Sequence, residues 1–76
     1  MKQAWDLLGE LRDAEWTVAI HNDYRWDGVL MTFWLLTRAV SGVGMIGVKG
    51  EGHTDLEALE QCAAQAQALS LFKPLP

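Results

Sequence analysis

Asp27–Arg38, DGVLMTFWLLTR, is the stretch on which the fold turns. From Val29 onward it is apolar on both alternating faces and dense in β-branched and aromatic residues, the composition of a strand inside a sheet. Leu and Met keep a helix in competition. Asp27-Gly28 decides against it, because this dipeptide is a strong hairpin-turn signal and stands directly before the run. Val29–Arg38 is therefore predicted as a central strand. Upstream, Glu15–His21 changes its apolar residues with period two, which places Trp16, Val18 and Ile20 on one face and Thr17, Ala19 and His21 on the other. Between the two strands lie Asn22–Gly28, with turn sites at Asn22-Asp23 and Asp27-Gly28. A tight turn at the second site extends the first strand through residues 22–26. Otherwise residues 22–28 form a protruding loop, and the sequence leaves both open.

Downstream, five of the seven glycines fall between Gly42 and Gly52. Ser41-Gly42 reads as a turn and Met45–Lys49 as a third strand weakened by glycine. Thr54-Asp55-Leu56-Glu57 is a capping box, in which the Thr oxygen takes the N–H of Glu57 and Glu57 reaches back to Thr54. The helix it opens carries Leu56, Leu59, Cys62, Ala63, Ala66 and Leu69 on one face, with Glu57, Glu60, Gln61 and Gln65 on the other; Pro74 limits its extent. At the other end, Ala4, Leu7, Leu8 and Leu11 recur at helical spacing within Lys2–Asp13, and Gly9 costs that helix about 1 kcal/mol. The expected fold is α+β: α-β-β-β-α in one domain over residues 1–76, with a three-stranded antiparallel sheet and both helices on one face.

A chain of 76 residues must be rich in apolar groups to build a core, and half of these are hydrophobic. Cys62 is the only cysteine, which rules out an internal disulfide. The first apolar stretch, Ala4–Leu11, is broken by Asp6, Gly9 and Glu10 and does not read as a signal peptide. The longest apolar run, Val29–Val40, would reach about 18 Å as a helix against a ~30 Å hydrocarbon layer, so no membrane partner is expected. These features predict a cytoplasmic location. The net charge of −4 repels phosphate backbones. Lys2, Arg12, Arg25, Arg38, Lys49 and Lys73 are scattered rather than striped, which disfavours direct nucleic-acid binding.

Gly42-Val-Gly44-Met-Ile-Gly47 matches a dinucleotide fingerprint in letters only, since no helix starts inside it and no parallel crossover has room. His21, His53 and Cys62 lack metal-ligand spacing. Cys62 lies about two turns into its helix on the apolar face and reads as a small buried hydrophobe. His53 reads as a loop residue, and His21 as a strand-end residue beside Asp23. The carboxylates read as solvated helix faces. No catalytic residue, cofactor or metal is expected.

The candidate contact surface is Asp23, Tyr24, Arg25, Trp26 and Asp27, because Tyr, Arg and Trp dominate binding hot spots and here adjoin in a turn. Trp34 is a further candidate. It stands on the strand face opposite Phe33, and a sheet with helices on one side only leaves one of the two in solvent, as an apolar patch that a partner or a homodimer would cover.

Gly50-x-Gly52-x-Thr54-x-x-x-Ala58-x-x-x-Cys62-Ala63-Ala64 resembles the C-terminal part of the double-stranded-RNA-binding domain, which implies the same α-β-β-β-α order. That family opens its second helix with lysines that grip phosphate. Asp55, Leu56, Leu59 and Glu60 stand here, so the resemblance implies the fold and not the RNA. In size, charge and Trp content the chain also looks like the small phage-encoded anti-CRISPR and other anti-defence proteins. That likeness implies a non-enzymatic inhibitor whose partner is a larger host protein with a basic, nucleic-acid-binding surface. A degenerate dsRNA-binding-like domain, used for dimerisation through the open sheet face or for weak nucleic-acid binding, is the alternative.

Overall fold

The computed structural model describes residues 2–72. Its elements run α1 (Ala4–Asp13), β1 (Thr17–Trp26), β2 (Val29–Val40), β3 (Gly44–Gly52) and α2 (Asp55–Ala68). The three strands form one antiparallel sheet in the order β1-β2-β3, so the expected α+β architecture is present, with β2 in the centre. Strand β1 starts two residues later than its period-two pattern suggested and runs on to Trp26. The turn is therefore the tight one at Asp27-Gly28, where both residues have positive φ, 54° and 78°. This is the backbone of a two-residue hairpin turn matched to the right-handed twist of the strands, and Gly28 takes its angle without strain.

The helices cover one side of the sheet. Thr32, Trp34 and Leu36 of β2 point to that side and are buried there with Val48 of β3, Leu7, Leu8 and Leu11 of α1, and Ala58, Leu59, Cys62, Ala63 and Ala66 of α2. Helix α2 packs mainly on β3, and Gly50 sets how closely. A Cβ at Gly50 would lie 1.9 Å from the carbonyl oxygen of Ala58. Thr54 caps α2 as expected, its hydroxyl accepting the N–H of Glu57 at 3.1 Å. The reciprocal bond shifts by one residue: the Glu57 carboxylate accepts from the N–H of His53 at 2.7 Å.

The alternation read for β1 breaks at Ala19. Val18 pairs with Leu36 but Ile20 pairs with Leu35, a register shift that leaves one residue unpaired. Such a bulge sends every later side chain to the opposite face. Ile20, expected beside Trp16 and Val18 in the core, therefore lies on the open face and is exposed. His21 turns to the helix side, where its ring stacks on Trp34 with centroids 3.9 Å apart.

Candidate functional site

Strand β3 ends at Gly52, which pairs with Thr32. The first two strands continue past that point as Tyr24↔Met31, Arg25↔Leu30 and Trp26↔Val29. The result is a two-stranded arm with no third strand beside it. A lone hairpin is marginal in water, so its base must be held. On the open face the Tyr24 hydroxyl donates to the Glu51 carboxylate of β3. That bond raises the Tyr24 pKa above its usual value, first through the hydrogen bond itself. On the helix face, His21 Nε2 lies 3.3 Å from Asp55 Oδ1 at the start of α2.

Four of the five expected contact residues, Asp23, Arg25, Trp26 and Asp27, are exposed on this arm, and Tyr24 is half-buried at its base. Trp26 is 74 % exposed, with Val29 beside it at 46 % and Leu30 at 51 %. Trp34 does not join them. It is only 4 % exposed, because the helices cover the even-numbered face of β2, and it leaves the candidate surface for the core. Its indole N–H donates to Asp55 Oδ1 at 2.9 Å. The uncovered face belongs instead to Phe33, with Met31 and Leu35 on either side of it in β2, Ile20 in β1 and Met45 in β3. Sequence reasoning missed Ile20, Val29 and Met45 as surface residues. The face of β2 that the helices take is settled by packing, and only the bulge exposes Ile20.

Asp55 gathers three donors that the sequence kept apart. Besides Trp34 and His21, the Thr32 hydroxyl donates to the same Oδ1 at 3.1 Å. These bonds, that from Trp34 foremost, hold the Asp55 pKa below its usual value despite partial desolvation. Asp23 completes a cluster of His21, Asp23 and Asp55 whose donor atoms lie within 4.8 Å of one another. The set has the donor types of a metal site, which the spacing of the histidines did not suggest. Its chemistry is already satisfied as hydrogen bonding, and the positive end of the α2 dipole favours the Asp55 carboxylate over a cation. Cys62 is buried against the carbonyls of Trp34 and Val48, and desolvation pushes its thiol up to about 11, so it stays protonated near neutral pH.

A cavity of about 400 Å³ lies between Glu10, Asp13, Arg38 and the segment Ser70–Phe72. Arg38 there is committed to structure. Its guanidinium donates to the Ala14 carbonyl at 2.7 Å and to the Leu71 carbonyl at 3.2 Å, and pairs with Glu15 at 3.2 Å.

Helix α1 also exposes an aromatic, Trp5, at 73 %. Asp6, Asp13, Glu57 and Glu60 are exposed on the helices, whereas the open sheet face has Lys49 and Glu51 as its charges. No helix among the described residues is long and apolar enough to cross a membrane. Comparison with known proteins finds no family model, no curated protein and no solved structure that matches the chain.

Proposed function

We propose that this chain is a non-enzymatic protein-binding module that works by laying its β1–β2 arm and open sheet face on a protein surface. The observation that carries this reading is the pairing of an exposed Trp26 with Val29 on the open face of an arm that reaches past the rest of the sheet, with Leu30 exposed on the arm's other face. An exposed apolar patch of this kind has a hydration cost that a partner removes, and Trp and Tyr supply area at low entropic cost. Among the described residues, thirteen buried hydrophobics already build a core elsewhere, so the arm is not spent on stability.

An inhibitor that occupies a larger host protein, of the anti-defence kind, fits a surface without catalytic machinery, and we keep it as the finer form of the proposal. The arm carries Asp23 and Asp27 against Arg25, a small net charge, so its attraction to a basic surface is weak and the aromatic contacts supply the larger share. Capture from host lysate tests the reading. The wild-type chain retains a partner in moderate salt, and Trp26→Ala and Val29→Asp release it while circular dichroism stays unchanged. Retention by both variants sinks the proposal.

A further inference from the structure

The two edges of the sheet are treated differently. On β3 the outward backbone groups of Lys49 and the N–H of Glu51 are taken by side chains of α2. Gln65 accepts the Lys49 N–H at 3.0 Å and donates to the Lys49 carbonyl at 2.6 Å, and Gln61 accepts the Glu51 N–H at 3.1 Å. A primary amide presents the same donor and acceptor as a neighbouring strand, so the Lys49–Glu51 stretch of this edge is closed to further pairing. No such cover lies along β1 among the described residues.

The free groups on β1 follow from the turn. A two-residue hairpin closes on a hydrogen-bonded pair, here Trp26↔Val29, and hydrogen-bonded pairs recur every second residue. Tyr24↔Met31 and Asn22↔Phe33 are therefore bonded inward. His21, Asp23 and Arg25 turn their N–H and C=O outward. All three side chains are exposed.

We infer that the occupant of this edge is a second copy of the chain, joined by antiparallel pairing of β1 with β1 about a two-fold axis at Tyr24. The inference rests on the arm being the contact surface and names its partner. Charge selects the register. Along the edge the outward positions run His21, Asp23 and Arg25, with the acidic Asp23 two residues before the basic Arg25. With Tyr24 opposite its own copy, Asp23 faces the partner's Arg25 and Arg25 faces the partner's Asp23. Registers that keep the outward groups bonded move in steps of two. A step one way sets Asp23 against the partner's Asp23, and a step the other way sets Arg25 against the partner's Arg25. Like charges directly opposite are destabilising in a ladder, and opposite charges stabilise it. The self-complementary edge is what a two-fold interface requires. It yields one six-stranded sheet in which the Trp26, Tyr24 and Asn22 side chains of both copies share the open face.

Sedimentation equilibrium of the purified full chain over a wide concentration range tests this. The wild type is expected to reach dimer. Arg25→Asp and Asp23→Arg each convert both central pairs to repulsion and weaken association roughly tenfold or more. The double exchange Asp23→Arg/Arg25→Asp restores the complement and recovers the dimer. On the wild type itself, the amide hydrogens of His21, Asp23 and Arg25 gain exchange protection as concentration rises, whatever the fate of the variants. A chain that stays monomeric overturns the inference. So does a dimer indifferent to either single reversal, or one that the double exchange fails to recover. If the chain is monomeric and Trp26→Ala still releases a captured partner, the arm remains a contact surface and only the second copy is removed as its occupant.

Discussion

Trp26 and Trp34 share one hairpin and face opposite environments, and their substitutions should separate accordingly. Trp34 packs under the helices and donates to Asp55. Trp34→Ala leaves a large cavity and takes one of three donors from Asp55 Oδ1, with an expected loss of about 3–5 kcal/mol in urea unfolding. Trp26→Ala removes a side chain that is mostly in solvent and should change stability by no more than about 0.5 kcal/mol. Asp55 makes a prediction in pH. Its folded pKa lies below the ordinary 3.8, so its stabilising contribution is complete above that value and is lost as pH falls through the lower folded one. Acid unfolding profiles should show this: wild type loses stability on descending below about pH 4, and Asp55→Asn lacks that part of the slope. Equal slopes would remove Asp55 from the acid response. The exposure of the carboxylate keeps the effect modest.

Between elements, the contact of α2 with β3 depends on residues without bulk. Gly50→Ala drives a methyl group into the Ala58 carbonyl, and neither backbone can move without parting helix from strand. The expected cost is at or above the ~3 kcal/mol usual for overpacking, read from the midpoint of thermal or urea unfolding. Gly50 and Gly52 were legible as a pattern, but the pattern did not say which helix residue lies against them. Helix ends were less legible. In α1 the N–H of Trp16 bonds the Leu11 carbonyl at 3.0 Å and that of Glu15 the Arg12 carbonyl at 2.9 Å, and α2 repeats the arrangement at Leu71 and Ser70. These are Schellman ends, yet the left-handed position holds Glu15 in one and Ser70 in the other rather than glycine. Without glycine the stop signal is invisible, and the stops come from the chain turning to bury Trp16 and Phe72. Gln61 and Gln65 were read as solvent-facing. Their amides lie on the β3 edge instead, because the helix runs close enough for a side chain to replace a strand.

At the scale of the molecule, stability should be uneven. The amides that join β2 to β3 and those of α2 lie beside the core and should exchange at the rate of global unfolding. Those of Tyr24–Met31, on an arm joined to the remainder by Tyr24–Glu51 and His21–Asp55, should exchange faster through local opening. Amide exchange by NMR in dilute solution reads this directly, and uniform protection would deny the arm its separate character. The order α-β-β-β-α was written in the residues themselves. Asp27-Gly28 specifies a backbone that few other pairs adopt, Val29–Arg38 is too β-branched and aromatic for an ordinary helix, and Thr54 with Glu57 opens α2; each acts over a few neighbouring residues. The open sheet face was also foreseen, but its owner was not. An apolar-on-both-faces strand carries no information about which face the helices take, and that choice sent Trp34 inward and left Phe33 outside. The bulge at Ala19 then moved Ile20 to the outer face. Where β3 stops relative to the hairpin is likewise a matter of pairing between distant segments. Local propensity wrote the elements of this protein. Only the packing of helices on one side of a sheet, and the register of strands far apart in the chain, decided which residues it leaves exposed.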